Sequence, residues 1–245
     1  MRRVAIVQAR MTSTRLPGKV LMDLAGRPML ARQLARVKRC RLVDDIVVAT
    51  TTNATDDAVV ATARDEGVRW FRGSETDVLG RYAGAAQEAR ADVVIRLTAD
   101  CPLIDPEVSD RVIATLSGEP GRWDYVSNVV PTRTFPRGLD TEALFADTLE
   151  RVHRMAHSQA AREHVTPFIY QERPDLFSIG SVTDREDNSD LRWTVDTSID
   201  LELVRRLYAA LGIGERTVSY REVLAYARAH PELSALNALI PSRGA

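Results

Sequence analysis

Arg10, Arg15 and Lys19 fall within a stretch of ten residues, and no acidic residue precedes Asp23. Three cations without a local counter-charge form a receptor for a polyphosphate, because arginine offers a planar fork of donors and lysine a compact point charge. Far along the chain, Asp100 and Asp196 each follow an apolar run and precede a turn or helix. Two carboxylates at one sheet edge suit Mg²⁺, a hard cation held by one or two carboxylates plus substrate phosphates and water. Such an ion would bridge phosphate oxygens while Lys19 and Arg15 take up the remaining charge, as when phosphorus is attacked in line. Taken singly, the basic hook also reads as a solvated loop and Asp196 as a helix cap.

Better-known phosphate loops are absent. A Walker A loop needs G-x-x-x-x-G-K-[ST], but Ser13 stands at the first glycine and Val20 at the hydroxyl position. Gly212 and Gly214 lack the third glycine of a dinucleotide fingerprint. The hook would therefore hold phosphates mainly with side chains. His153 and His157 are spaced i, i+4, but Arg154 occupies the place a zinc protease gives to glutamate. Ser158 and His164 make no triad, and the acids Asp184, Glu186, Asp187 and Asp190 lack a calcium loop's alternation.

The elements that position these groups are legible in the first half of the chain. Val4–Val7 and Ile46–Thr50 are apolar runs suited to buried strands, Val68–Phe71 reads as a short third strand and Val93–Leu97 as a fourth. Helices are expected over Pro28–Cys40, from Asp56 and Asp57 to Ala63, and from about Asp77 to Ala89. Strand–helix alternation to about Leu116 predicts a parallel, doubly wound sheet, whose ligands sit beyond the carboxyl ends of the strands. Arg10, Arg72 and Asp100 each follow a strand and would share that edge.

From Asp124 the pattern loosens. Tyr125–Asn128 and Phe177–Val182 read as extended, Leu149–Ala156 and His164–Tyr170 as helical. About 124–190 reads as an elaboration for acceptor recognition or a subunit interface, or equally as a surface excursion. Trp193–Val195 reads as a returning strand ending at Asp196. Thr197 or Ser198 would cap a helix over Ile199–Leu211, and Tyr220–His230 would be a last amphipathic helix.

Composition narrows the class. The 245 residues suit one large α/β domain with a possible extra lobe. They are 44% hydrophobic and 27% charged, ordinary for a globular protein. A net charge of −1 gives no global pull toward nucleic acid or an anionic membrane. No apolar run reaches the roughly 18 residues of a membrane span, and the N-terminus lacks a signal peptide's apolar core. With Cys40 and Cys101 alone there is no disulfide framework, so a reduced, cytoplasmic protein is expected.

The motifs taken together resemble a known family. A strand followed by QARMTSTRLPGKVLMDLAGRPML is similar to the signature of the CMP-sugar synthetase superfamily, which includes the 3-deoxy-manno-octulosonate and acylneuraminate cytidylyltransferases. VQAR, RGSETDVLGRY, RLTADCPLIDP, YVSN, RTFPRGLD, REHVTPFIY and RWTVDTSIDLELV resemble the branch named after spore coat polysaccharide biosynthesis protein F. The resemblance implies a three-layer nucleotide-diphospho-sugar transferase fold with a mostly parallel sheet and a smaller second lobe, residues 1–245 forming one nucleotidyltransferase domain. It implies transfer of CMP from CTP to a sugar or sugar acid, with release of pyrophosphate, by a cytoplasmic homodimer that uses Mg²⁺. By position, Arg15 and Lys19 would hold the triphosphate, with Gln8, Ala9, Arg10, Ser13, Arg72 and Thr98 beside the nucleotide. Asp100 and Asp196 would ligate the metal. Asp77, Arg81, Arg137, Arg162, Glu163 and His164 would lie toward the acceptor. The octulosonate enzymes carry proline where Gln8 stands and glutamine where Thr98 stands. A glycosyltransferase of the same fold is the alternative, but it usually places D-x-D after the fourth strand, where Asp100-Cys101-Pro102 offers one carboxylate. A non-catalytic nucleotide-binding subunit is the other; Lys19, Asp100 and Asp196 standing together argue against it.

Overall fold

The structure, a computed structural model, describes residues 1–119 and 121–240. Its centre is a seven-stranded sheet built from β1 (Arg3–Gln8), β2 (Asp45–Thr51), β3 (Arg69–Gly73), β4 (Val93–Thr98), β5 (Tyr125–Ser127), β6 (Glu142–Phe145) and β7 (Ile179–Ser181). The strand order is β3-β2-β1-β4-β6-β5-β7, and pairing is parallel except where β6 runs antiparallel to β4 and β5. The four runs read as strands are the four parallel ones in the first half, and of these β3 is partly exposed, through Trp70 among others. Their alternate residues feed two different cores, as the period of a strand requires. Ala5, Val7, Val48, Ile95 and Leu97 face one side of the sheet, and Val4, Ile6, Val47, Ala49 and Val94 the other.

Helices cover both faces, giving three layers. The first face carries α1 (Met29–Val37), α2 (Asp57–Asp65), α4 (Pro106–Gly118), α7 (Ser198–Leu211) and α8 (Tyr220–Ala229), through Leu34, Val59, Val112, Leu207 and Val223 among others. The second carries α3 (Val78–Ala89), α5 (Ala146–Met155) and α6 (Gln159–His164), through Tyr82, Val152 and Ala161. Thr197 caps α7 and closes a capping box with Asp200. Cys40 and Cys101 are free and buried. Among the described residues, no helix is long and apolar enough to cross a membrane.

Three local expectations are corrected. His164–Tyr170 is not one helix. α6 ends at His164, Val165 takes φ 72°, and a π-helical turn resumes at Phe168–Glu172. Pro167 is the cause, since proline supplies no N–H and bars the preceding residue from helical geometry. Trp193–Val195 is extended but joins no strand of the sheet. The segment makes an isolated bridge between Arg192 and Arg137, and Val195 N–H reaches the Asp100 carbonyl at 2.8 Å. Finally, Glu142–Phe145 is a strand that the pattern did not announce. Four residues running straight into α5, with no turn residue between, leave no alternation to read.

Residues 124–190 thus supply β5, β6 and β7 to the same sheet, and α5 and α6 to its second face. The turn before β6 also positions a segment distant in sequence. Gly138 has φ 108°, and a Cβ there would stand 2.8 Å from the Trp193 carbonyl carbon. This close approach lays residues 192–196 against the end of the sheet. Gly138→Ala is therefore expected to cost about 1–3 kcal/mol, the usual penalty for such strain, measured as a shift in the urea unfolding free energy.

Candidate active site

The hook begins where β1 ends. Ala9 N–H is held by the Ala49 carbonyl at 3.1 Å, and Ala99 N–H by the Gln8 carbonyl at 3.0 Å, so the chain leaves the sheet between its two neighbours. Asp56 then pins the loop. Its carboxylate is fully buried and accepts Met11 N–H at 2.8 Å, Thr50 Oγ1 at 2.9 Å and Thr51 Oγ1 at 2.6 Å. Burial works against its charge, but these donors prevail and hold it below the usual carboxylate range. Asp56 stands at the opening of α2, as expected, but its carboxylate anchors the hook and makes no cap bond to the helix. Gly18, at φ 72°, returns its N–H to the Met11 carbonyl at 2.9 Å. A 3₁₀ turn over Lys19–Leu21 then buries Lys19.

Lys19 Nζ donates to the Val195 carbonyl at 2.7 Å and Asp196 Oδ1 at 3.0 Å, and reaches Asp100 Oδ2 at 3.4 Å. Arg15 Nη2 also meets Asp196 Oδ1, at 2.9 Å. The cations that seemed uncompensated have their counter-charges far away in sequence. Burial pulls the Lys19 pKa down, but Asp100 and Asp196 more than reverse it, so the ammonium is held above its ordinary value. For Asp196 burial acts upward and Lys19, Arg15 and Arg192 act downward, with a net lowering.

Each aspartate is fixed from behind. Thr98 Oγ1 donates to Asp100 Oδ1 at 2.5 Å. Arg192 Nη2 donates to Asp196 Oδ2 at 2.7 Å, and its Nε to Asp200 Oδ1 at 3.1 Å. Asp200, itself fully buried, also accepts Asp196 N–H at 3.0 Å and Thr197 N–H at 2.9 Å. Arg192 and Asp200 escaped sequence reasoning. Arg192 stands four residues before Asp196, a spacing without meaning in the strand expected there.

The remaining candidates divide. Arg10 lies 3.6 Å from Glu75, which also accepts from Asn53 at 2.7 Å and from Thr12. Ser13 makes a backbone bond to Met11, and Gln8 Oε1 is buried without a partner. Arg72 shares the edge but is spent on structure: it donates to the Thr51 and Asn53 carbonyls, each at 2.7 Å, and to Asp57 at 2.6 Å. Arg81 is buried, donates to the Ser74 carbonyl at 2.5 Å and leaves Nε without a partner. Asp77 caps α3 at Gly80 N–H, 2.9 Å away, and pairs with Arg162, so these two predicted acceptor contacts hold each other. Glu163 is exposed. Arg137 is half-buried, and its guanidinium has no hydrogen-bond or ion-pair partner among the described residues.

His164 lines a cavity of about 110 Å³ beyond the end of β4, together with Arg96, Thr98, Asp140, Glu142 and Tyr170. Its floor is a charged network that the sequence did not announce. Glu142 pairs with Arg96 and accepts Tyr125 OH at 2.5 Å and Thr166 Oγ1 at 2.7 Å. Arg133 grips Asp140 with two bonds of 2.6 and 2.9 Å. Thr98 belongs to this cavity and bonds Asp100, so the cavity adjoins the Lys19 cluster.

A basic hook, two converging carboxylates and a polar cavity at the carboxyl end of a doubly wound sheet find their counterpart in a family model described as cytidylyltransferase, which matches residues 4–226. The chain belongs to the cytidylyltransferase family. It is 34% identical over 235 residues to spore coat polysaccharide biosynthesis protein SpsF of Bacillus subtilis (strain 168), covering 93% of this chain and 94% of that one. It is 39% identical over 118 residues to the 3-deoxy-manno-octulosonate cytidylyltransferase of Geobacter sulfurreducens, about half of each chain. A cytidylyltransferase structure from Leptospira borgpetersenii superposes with a TM-score of 0.90 at 30% identity, covering 100% of both chains.

Within this cytidylyltransferase, Asp100 Oδ2, Asp196 Oδ1 and the Val195 carbonyl surround one cation, the Lys19 ammonium. Three hard oxygens, two of them charged, fit Mg²⁺ or a similar ion. Among the described residues no three acidic, histidine or cysteine side chains gather to enclose a metal, so phosphate and water would complete its shell. The brace behind Asp196 gives a stability prediction. Asp200→Ala removes the buried carboxylate that accepts from Arg192, Asp196 N–H, Thr197 N–H and Asn237, and is expected to cost about 3–5 kcal/mol, read from urea unfolding followed by the fluorescence of buried Trp193.

Proposed function

We propose that the protein transfers CMP from CTP to a sugar or sugar acid, releasing pyrophosphate, in a Mg²⁺-dependent reaction. The observation that carries this reading is the meeting of Arg15, Lys19, Asp100 and Asp196 around one point, from three separate parts of the chain. Arg15 and Lys19 take the β- and γ-phosphate oxygens, on which charge grows as the leaving group departs. Asp100 and Asp196 hold the divalent ion, which when bound supplies Lewis-acid stabilisation of that charge. Arg192 and Thr98 keep the two carboxylates aimed. An acceptor hydroxyl oxygen bonds to the α-phosphorus as the bond from that phosphorus to the bridging oxygen breaks; pyrophosphate leaves with the electron pair, and the hydroxyl proton passes to solvent water.

The acceptor fits the cavity beyond β4. Asp140, Glu142, Thr98 and His164 offer the mixed donors and acceptors a polyhydroxylated ring requires. Arg137 offers an unspent guanidinium for a carboxylate, consistent with a sugar acid. Relatives named for spore coat polysaccharide and octulosonate chemistry support the same class. The reading includes a cytoplasmic homodimer joined through residues 124–190.

Pyrophosphate release on mixing the full chain with CTP, Mg²⁺ and a panel of sugars and sugar acids is the test. Turnover that instead liberates CMP or UDP from nucleotide sugars would replace this reading with glycosyl transfer. Asp100→Asn and Arg15→Gln are each expected to lower kcat/KM by at least about a hundredfold, with little change in unfolding midpoint. Unchanged kinetics in both variants would remove the triphosphate from this site.

A further inference from the structure

We propose that Lys19 is the resident cation of the metal position, so that a divalent ion gains the two aspartates when a nucleoside triphosphate draws the ammonium away. This rests on the reading above and says how the site must fill. The Lys19 side chain is 11% exposed and spends its three donors on Val195, Asp196 and Asp100. Each aspartate has one oxygen committed elsewhere: Asp100 Oδ1 accepts from Thr98 at 2.5 Å, and Asp196 Oδ2 from Arg192 at 2.7 Å. The oxygens left over, Asp100 Oδ2 and Asp196 Oδ1, are those that face Nζ. A hard dication needs the same two atoms.

The two cations cannot share them. Positive charges held a few ångströms apart in a half-buried site repel strongly, and this repulsion is poorly screened. In the ligand-free protein the ammonium therefore excludes the metal. Arg15 strengthens the exclusion by holding the same Asp196 oxygen at 2.9 Å. A triphosphate changes the balance, since it offers Lys19 and Arg15 several anionic oxygens at once. Both leave the carboxylate as it binds, and the vacated oxygens accept the divalent ion that accompanies the nucleotide. The lysine stem suits this exchange, because it starts from the fixed 3₁₀ turn after Gly18 and carries its charge on rotatable bonds.

The test is Mn²⁺ binding to the full-length, nucleotide-free protein, followed by electron paramagnetic resonance of the free ion. Lys19→Gln and Lys19→Met, the second close to the native shape, are expected to bind Mn²⁺ at least about tenfold more tightly than wild type. Adding Asp100→Asn to either should abolish the gain. A wild-type protein that takes up Mn²⁺ as tightly as the variants, at a site lost in Asp100→Asn, overturns the proposal. So does weak binding by both lysine variants. Should the variants not fold, wild type alone decides: Mn²⁺ affinity at least about tenfold stronger than that of Asp100→Asn is the overturning result, and equal weak affinity supports exclusion. Pyrophosphate release from CTP by the same wild-type preparation separates the two ideas. Turnover with a failed Mn²⁺ pattern leaves the function and removes the exchange; the Mn²⁺ pattern without turnover does the reverse.

Discussion

An ammonium buried between two carboxylates is the constraint on which the site is built. Taking Lys19 out of water is costly, and the cost is recovered only if oxygens surround it closely on several sides. Those oxygens come from residues 100, 195 and 196, so the place of the hook depends on β4 ending beside β1 and on the segment after Leu191 reaching the same edge. The backbone shows how this is arranged. Gly138 allows contact with Trp193, Arg137 bridges Arg192, and Val195 N–H bonds the Asp100 carbonyl at 2.8 Å. That last bond joins the loops carrying the two aspartates, so their spacing is set by main chain rather than by side-chain chance.

A second buried ion pair lies one step along the same strand. Arg96 and Thr98 are two residues apart on β4 and so project from the same face. Arg96 is held by Glu142 of β6, and burial, which opposes its charge, is outweighed by that carboxylate. Thr98 turns instead toward Asp100. Because β6 runs antiparallel, the start of this strand meets the end of β4, and Glu142 arrives at the ligand edge with Asp140 just before it. The reversal of one short strand thus converts the end of a parallel sheet into a polar cavity adjoining the Lys19 cluster.

Legibility in the sequence followed the range of the forces involved. β1 and β2 were readable because strands buried on both faces leave continuous apolar runs, and Val4–Val7 is such a run whatever its partners. β6 was not, since Glu142 in a four-residue strand is stabilised by Arg96, Tyr125 and Thr166, none of them near it in sequence. Arg72 shows another limit of reading position alone. Its position at a strand end matched that of Arg10, but local carbonyls at Thr51 and Asn53 and the Asp57 carboxylate claim its donors. Arg192 was hidden because its role depends on a segment that is extended without belonging to the sheet. Gly138 left no signal either, as the close approach of Trp193 is a tertiary fact.

Counting charges along the chain misjudged the hook for the same reason. Arg15 and Lys19 have no acidic neighbour in sequence, yet both end on Asp196, with Arg192 on its other oxygen. Arg192 also pairs with Asp200, so three cations meet three carboxylates, and a polyanion must draw Arg15 and Lys19 from partners they already have. Arg137 differs. Burial and the neighbouring Arg133 weaken its hold on its proton by more than Asp140 restores, and its guanidinium has no partner among the described residues. Cations already paired must trade partners to bind a ligand and so favour one carrying several charges, as a triphosphate does. A half-buried guanidinium without a partner gains from a single carboxylate. On the proposed reading, the division of labour between nucleotide and acceptor follows which cations the fold has satisfied and which it has left open.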